Sequence, residues 1–539
     1  MRTLYRGGAV YSTTDPFATA LLVDGDTVAW LGSEEAADAR VGEVDDVVDL
    51  AGALVAPAFV DAHVHVTETG LALGGVNLRG VRSVGEILAA VEAAARSGRG
   101  RPILGHGWDE RNLAEGRPPT GAELDRASAG GVVYLARVDS HSAIVSTALA
   151  AAADARAHAG WSDDGRVERD AHHAVRTATR SGLSAAARAE AQRTALRAAA
   201  AAGIGCVHEM SAPHIAPEVD LAALVGLAGP DGEEPLPDVV PYRGQLVGDE
   251  AEAKELLTRL GVQVAGLAGD LNADGAVGSR TAAFREPYAD ADTHGHVYLT
   301  VEQIRDHVVA CTAVGLQAGF HVIGDAALDA VIEGFRRAAE RAGLAAVRAA
   351  GHRLEHVETP DSAAVARLAD LGLVASVQPA FDAAWGGLDG MYAARLGADR
   401  AARMNPFAAL AAAGVPLAFG SDSPVTPFAP WEGVRAAVFH TDPEQRISAK
   451  AAFAAHTRGA WRAARRPGQG ALAPGAPATL AVWDAAELVV QAPDDRIQAW
   501  STDPRSGTPG LPDLAPGTPA PRCLRTVVRG RVVHDALAG

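Results

Sequence analysis

Between Leu54 and about Arg466 the chain alternates short apolar runs with longer alanine-rich segments. The apolar runs predict strands, and the alanine-rich segments have the length and composition of helices. Glycines stand where these helices should end. Strands and helices that alternate in this way are typical of a parallel sheet. The predicted strands are 54–60, 102–109, 132–139, 204–210, 262–275, 316–325, 352–358, 373–381 and 416–424, and the clearest helices are 184–202, 249–260, 300–314, 325–342 and 360–371.

The alternation predicts an α/β fold with a (β/α)8 TIM-like barrel over residues 54–466. Nine predicted strands are one more than such a barrel needs, so we expect an insertion around 110–183. Residues 1–53 and 467–539 contain short strands and turns instead, and each segment is too short to bury a core alone. We therefore expect the two ends of the chain to pair into one small β-sandwich domain.

The most informative stretch is LVAPAFVDAHVH, residues 54–65. It reads as one buried strand, Leu54 to Val60, that leads into an acid and two histidines. Successive side chains of a strand point to opposite faces, so His63 and His65 share a face and are close enough to hold one metal ion. The alternative is a pair of loop histidines.

Further polar residues follow other predicted strands. His321 closes LQAGFH, His356 closes HRLEH, and Asp422 follows PLAFGS. In a (β/α)8 barrel the active site lies at the carboxyl ends of the strands, so these side chains should meet His63 and His65. Imidazoles and a carboxylate favour Zn²⁺, with Fe, Ni or Mn as alternatives, over Ca²⁺ or Mg²⁺.

Composition narrows the class of protein and its partners. The chain has 539 residues, 48 % of them hydrophobic, and a net charge of −18, which argues against nucleic-acid and acidic-membrane partners. The three cysteines do not have the regular spacing of a disulfide framework. We recognise no signal peptide and no apolar run of membrane length, so we expect a cytoplasmic protein. We expect a small-molecule substrate, and a homo-oligomer is compatible with the sequence.

Several longer motifs extend the pattern P-x-F-V-D-x-H-x-H. They are GHGWDE (105–110), RVDSHSAIVSTAL (137–149), DGAVGSRTAAF (274–284), HVIGDAALDAV (321–331), HRLEHVE (352–358), SVQPAF (376–381) and FGSDSPVTPFAPW (419–431). With these motifs the chain resembles the metal-dependent amidohydrolases of the YtcJ-like and N-substituted formamide deformylase-like type. The resemblance covers nearly the whole chain and implies a site for one or two metal ions built from His63, His65, His321, His356 and Asp422.

One departure from that family concerns a lysine whose carbamate bridges two metals in many members. Asp270 occupies its position here, and the chain has only two lysines, Lys254 and Lys450, both in predicted helices. A carbamate is therefore not expected. Asp270 or Glu209 could bridge two metals as a carboxylate. A site with one metal on His63, His65, His321 and Asp422, and His356 outside the ligand shell, is the alternative.

The resemblance also implies a substrate pocket. Trp108 would offer an apolar wall, Asp109 a carboxylate, His141 a contact above the site, and Arg280 a group for an anion or a carbonyl. Each has an equally good interpretation as a structural loop residue.

The leading hypothesis is a hydrolase of a non-peptide C–N bond in a small amide, acting through a metal-activated water. Asp422 would accept the proton of the water and pass it to the leaving nitrogen, and His356 or His321 would stabilise the oxyanion. The alternatives are an ester or lactone hydrolase on the same scaffold, and a non-catalytic binding protein of this fold.

Overall fold

Eight parallel strands form a barrel at the centre of the molecule. The structure, a computed structural model, describes residues 1–98, 100–229, 232–485, 487–491, 500–501 and 509–537. Each barrel strand pairs with the next in chain order, and the first and eighth strands meet where Asp422 N donates to His63 O at 2.8 Å and His65 N to Ser423 O at 3.0 Å. The barrel is therefore confirmed. Its strands are Phe59–Val64, Ile204–Ser211, Asp238–Arg243, Gly266–Leu267, Gln317–Val322, Arg353–His356, Val374–Val377 and Leu417–Phe419.

The predicted strand 54–60 is wrong as a single element. Leu54–Pro57 pairs with Leu480–Asp484 in a sheet formed by the chain ends, and the first barrel strand begins only at Phe59. Every residue of both strands is buried. The sequence therefore stays apolar where the chain passes from the β-domain sheet to the barrel. Hydrophobicity alone therefore gave no sign of the boundary at Ala58.

Two more predicted barrel strands, 102–109 and 132–139, belong to a separate sheet, and one barrel strand was missed. The missed strand, Asp238–Arg243, contains Pro241. A proline usually demotes a run to an edge strand or a loop, yet here it lies inside the sheet, where residue 241 is in register with Glu209.

The separate sheet is an insertion after the first barrel strand, and it begins earlier than residue 110. Its first three strands are parallel and the last two antiparallel. The strands are Val76–Asn77, Ile103–Trp108, Val133–Arg137, Ser142–Val145 and Arg166–Glu168, and the accompanying helices are Val84–Gly98, Gly121–Ala127, Thr147–Ala152 and Arg169–Ser181.

Both ends of the chain contribute to the small β domain. One sheet contains Arg2–Arg6, Ala20–Asp24, Thr27–Gly32 and Asp46–Asp49, and the other contains Ala9–Val10, Leu54–Pro57, Leu480–Asp484, Arg522–Val528 and Arg531–Asp535. Apolar residues of both sheets share one buried cluster. A third, small sheet is formed by Leu488–Gln491, Trp500–Ser501 and Leu511–Pro512. The boundaries 1–53, 54–466 and 467–539 stay predictions, and 492–499 and 502–508 lie outside the described residues.

The helices around the barrel agree with the sequence pattern. Thr300 forms a capping box with Gln303, and Gly261 and Gly372 take left-handed conformations at helix ends, where glycine costs least. The remaining α-helices are Glu34–Asp38, Val66–Gly74, Ala185–Ala201, Glu218–Leu227, Glu250–Leu260, Val301–Ala313, Asp325–Ala342, Leu344–Ala350, Ser362–Leu371, Pro379–Trp385, Met391–Leu396, Ala398–Ala401, Phe407–Ala412, Pro430–Val438, Ala449–Ala454 and Ala460–Ala463. Among the described residues, none of the helices combines the length and apolar character that crossing a bilayer requires.

Trp483 joins the β domain to the barrel. Its ring lies 5.7 Å from that of Phe59 and 5.5 Å from that of Trp431, both in edge-on contact. Gly203, with φ +76°, makes room for it, since a Cβ there would stand 2.2 Å from the indole.

We expect Trp483→Ala to lower the free energy of unfolding by about 3–5 kcal/mol, because it leaves a cavity where a fully buried indole stood. The measurement is the apparent Tm by calorimetry. Leu388→Ala, at a side chain that is 72 % exposed, is the control and should leave Tm nearly unchanged. An equal Tm for the two variants would contradict the role of Trp483.

Candidate metal centre

Four histidines and two aspartates meet at the carboxyl ends of the barrel strands. His63 lies in the first strand, His65 just after it, His321 in the fifth and His356 at the end of the sixth. Asp270 follows the fourth strand and Asp422 the eighth. His356 and Asp422 have φ of +73° and +54°, a left-handed conformation that non-glycine residues adopt at a cost, and often at functional sites.

Asp270 lies between the four imidazoles. Its Oδ1 is 3.3 Å from His63 Nε2, 3.8 Å from His321 Nδ1 and 3.9 Å from His356 Nε2, and its Oδ2 is 3.1 Å from His65 Nε2. Asp422 Oδ1 lies 3.2 Å from His65 Nε2 and 3.5 Å from His63 Nε2. Two groups of donor atoms could each hold one ion: His63, Asp270 and His356; and His63, His65 and Asp422.

Each of the four imidazoles has its other ring nitrogen beside an acceptor outside the centre. His63 Nδ1 is 2.9 Å from Glu355 Oε2, and His356 Nδ1 is 2.8 Å from Gln378 Oε1. His65 Nδ1 and His321 Nε2 face the carbonyl oxygens of Met210 and Gly275 at 3.1 and 3.2 Å. A carbonyl accepts only, so these bonds place the ring proton on the outer nitrogen and leave the inner lone pair free for a metal.

Four of the atoms that face the interior of the centre have no hydrogen-bond partner. His63 Nε2, His356 Nε2, Asp270 Oδ1 and Asp422 Oδ1 are buried without a hydrogen bond. Buried polar atoms are normally satisfied, and these four are divided between the two groups that could each hold one ion. The donor set of nitrogen and carboxylate oxygen therefore fits a divalent transition metal.

The electrostatics of the centre also favour a cation. Burial opposes charge on the imidazoles, but Asp270 and Asp422 outweigh it, raising the pKa of His65 to about 10 and that of His63 well above its usual value. Burial likewise raises the pKa of Asp270 and Asp422, and the imidazoles, His63 first, reverse this and lower both. A divalent ion can take the place of the two imidazole protons, so its binding should release them.

A buried ion pair behind the centre orients His63. Arg353 Nε donates to Glu355 Oε1 at 2.6 Å, and Arg353 also donates to Ala62 O and Ser376 Oγ. Asp61 Oδ1 accepts from Ser421 N at 2.8 Å and so links the first strand to the end of the eighth. Arg353 and Glu355 were missed. Their one signal was a charged side chain at every second position of HRLE, a pattern that also fits a solvated strand face.

The candidate bridging groups differ in position. Asp270 lies inside the centre, whereas Glu209 is turned to Val66 N at 2.7 Å and belongs to neither metal-capable group among the described residues. Lys254 is 65 % exposed and paired with Glu250. Lys450 lies on helix Ala449–Ala454. The structure thus brings neither lysine to the centre. Which carboxylate bridges stays a prediction.

Of the four predicted substrate contacts, the structure brings only His141 to the centre, with its ring 5.2 Å from that of His321. Trp108 is 1 % exposed in the core of the insertion, and its Nε1 donates to Leu135 O. Asp109 is paired with Arg111 and Arg137, and Arg280 with Asp290. The structural interpretation of these three residues is therefore the better one.

Two cavities reach the centre from different sides. The larger, about 1080 Å³ with its open mouth, is bounded by His65, His141, Asp270, His321 and Asp422 together with the insertion. The smaller, about 330 Å³, also touches His141, His321 and Asp422, and adds His356. These sizes suit a small molecule, and the reacting bond would lie where the cavities meet.

Comparisons with known proteins agree with this architecture. The chain is 26 % identical over 471 residues to the putative amidohydrolase YtcJ of Bacillus subtilis, covering 81 % of this chain and 84 % of that one. It is 22 % identical to the N-substituted formamide deformylase of Arthrobacter pascens, over 87 % and 90 % of the two chains. The solved structure of an uncharacterized metal-dependent hydrolase from Pyrococcus horikoshii OT3 superposes with a TM-score of 0.72 at 26 % identity, over 90 % of this chain and 97 % of that one.

The family profile described as the amidohydrolase family matches residues 46–534. This match spans the barrel, the insertion and the part of the β domain that lies within residues 46–534, and it includes all six residues of the centre. It shows that the chain belongs to the amidohydrolase family.

Proposed function

We propose that the protein hydrolyses a carbon–nitrogen bond of a small, non-peptide amide, with one or two divalent ions, Zn²⁺ foremost, held by His63, His65, His321, His356, Asp270 and Asp422. The observation that carries the proposal is the convergence of four imidazoles, each with its proton directed outward, on two buried carboxylates beside a cavity. Membership of the amidohydrolase family and the likeness to a metal-dependent hydrolase support it.

When bound, a divalent metal ion polarises a carbonyl and lowers the pKa of water to about 7. Asp422 is the best-placed proton acceptor, because it borders both cavities and its Oδ1 has no hydrogen bond. Burial raises the pKa of Asp422, but His63 and His65 lower it overall, so the carboxylate is ionised at neutral pH. It can therefore accept a proton from water and deliver it to the leaving nitrogen.

His141 is a better candidate than His321 or His356 for stabilising the developing oxyanion. In both of the latter the outer ring nitrogen meets an acceptor, and the inner one faces Asp270 at 3.8 or 3.9 Å as a candidate metal ligand. His141 borders both cavities. Burial, and then the neighbouring His321, lower its pKa to about 3, so it is a neutral imidazole with an N–H to donate.

We expect His63→Ala and His65→Ala to lose bound metal and with it hydrolysis, because each removes a ligand nitrogen. Metal content is measured by inductively coupled plasma mass spectrometry on protein of unchanged circular dichroism. His158→Ala, at an exposed histidine, is the matched control and should keep its metal. Full occupancy in both test variants would contradict the ligand assignment.

Asp270→Asn should lower the number of metal ions per chain, since it removes a charge shared among four imidazoles. Added bicarbonate should not restore them, because the structure brings no lysine to the centre. Glu209→Gln is the matched variant, at a carboxylate directed to Val66 N, and should leave stoichiometry unchanged. If Glu209→Gln loses metal and Asp270→Asn does not, the two roles are reversed.

Asp422→Asn should retain much of its metal, because one oxygen donor remains, while kcat falls at least ~10²-fold with little change in KM. The pH–rate profile should also lose its acidic limb. The substrates are N-acyl, N-formyl and cyclic amides, with matched esters and lactones alongside. Asp389→Asn, at an exposed acid, is the control. Near-parental kcat in a metal-loaded Asp422→Asn would show that another group takes the proton.

A further inference from the structure

One face of helix Arg169–Ser181 forms a wall of the larger cavity. The residues that line it recur at helical spacing: Arg169, His172, His173, Arg176 and Arg180. The helix closes the insertion, so this wall stands opposite the metal centre at the barrel mouth.

The three arginines of this wall are not equally paired. Arg180 donates from Nε and Nη2 to the two oxygens of Glu68. Arg176 is looser, with Nη2 3.9 Å from Glu68 Oε2. Its side chain is only 11 % exposed, and its Nε is buried without a hydrogen-bond partner. No side-chain hydrogen bond or ion pair joins Arg169 to another residue in the part of the chain that the structure describes. One carboxylate thus faces two guanidinium groups, and the third guanidinium, that of Arg169, has the more distant electrostatic influence of Glu168.

The neighbouring histidines add no charge. Burial, followed by Arg176, lowers the pKa of His173 to about 4 and that of His172 well below its usual value. Apart from Glu68, and from Asp270 and Asp422 of the centre, the other acid of the larger cavity is Asp139, which also borders the smaller one and is paired with Arg137 at 2.9 Å. The cavity wall therefore carries a surplus of positive charge in a chain whose net charge is −18.

The smaller cavity has the opposite character. It is lined by four large apolar or aromatic residues, Phe381, Trp385, Met391 and Tyr392. Its acidic residues are Asp139, Asp422 and Glu358, of which Glu358 does not border the larger cavity. No arginine or lysine is among its lining residues in the described chain. The two sides of the reacting centre thus differ in charge, which would orient a substrate that has one anionic and one apolar end.

We propose that the substrate is an amide that carries a carboxylate, which Arg176, assisted by Arg169, binds in the larger cavity, while an uncharged group occupies the smaller one. This rests on the proposed function and names its substrate class. The Arg176 guanidinium lines the cavity, and its nearest carboxylate oxygen is 3.9 Å away, so it is available to a planar carboxylate, whose two oxygens match the geometry of a guanidinium. Burial strengthens that contact, because little water competes for it.

The test is equilibrium binding, so that it does not depend on turnover. Isothermal titration of the full-length, metal-loaded protein compares N-methanesulfonylphenylalanine with the corresponding alcohol, in which CH₂OH replaces the carboxylate. Both enantiomers are used, and neither ligand has a scissile amide. The carboxylate should bind at least ~10-fold more tightly than the alcohol.

Arg176→Gln should remove this preference, Arg176→Lys should restore part of it, and Arg169→Gln should reduce it. Glu68 keeps its two bonds to Arg180 in every variant, so folding should be preserved, and circular dichroism and metal content check this. Arg96→Gln, at a side chain that is 72 % exposed, is the charge-matched control. It should keep the full preference.

Equal binding of the two ligands, no measurable binding of either, or a preference unchanged in both Arg176→Gln and Arg169→Gln would overturn the inference. Tighter binding of the phosphonate analogue than of the carboxylate would overturn the choice of anion. A protein that prefers the carboxylate yet hydrolyses no amide would fail the proposed function alone. One that hydrolyses amides without preferring the anion would fail the inference alone.

Discussion

Closure of the barrel is the constraint on which the metal centre depends. His63 and Asp422 lie at opposite ends of the barrel sequence, and the backbone hydrogen bonds from Asp422 N to His63 O and from His65 N to Ser423 O bring the first and eighth strands together. Asp61 reinforces the seam by accepting from Ser421 N. If the sheet stayed open at this edge, Asp422 would be separated from His63 and His65, and the group of three candidate ligands that they form would be lost.

The positions of the histidines alone would not enable this centre to bind a metal ion. A histidine binds metal only through a nitrogen that carries no proton, and each of the four imidazoles meets this condition through a bond on its outer side. The ion pair of Arg353 and Glu355 supports one such outer contact, and it is itself held by further hydrogen bonds. Glu355 orients His63, and Arg353 both compensates the buried carboxylate and ties it to Ala62 O and Ser376 Oγ. A buried charge without such a partner would be costly.

The insertion gives the scaffold its individual character. It follows the first barrel strand and supplies a wall to the larger cavity, including Arg176 and also His141, whose ring lies 5.2 Å from that of His321. Because binding residues are often carried by segments added to a rigid scaffold, differences in substrate among proteins with this barrel should arise largely here. The barrel supplies the candidate metal centre, and the insertion and the smaller cavity border the space beside it.

The sequence by itself determined the strand–helix alternation, the barrel and the order of the ligand candidates, because strand periodicity and helix-end glycines are local signals. It did not determine where the apolar run at 54–60 changes sheets, or that the strand with Pro241 lies inside the barrel, since both depend on which strands pair. Trp108, Asp109 and Arg280 looked like pocket residues until tertiary contacts paired or buried them. The positions of the loosely paired Arg176 and of Asp270 among four imidazoles were likewise decided by tertiary structure, because charge pairing between residues a hundred or more positions apart leaves no local trace in a single sequence.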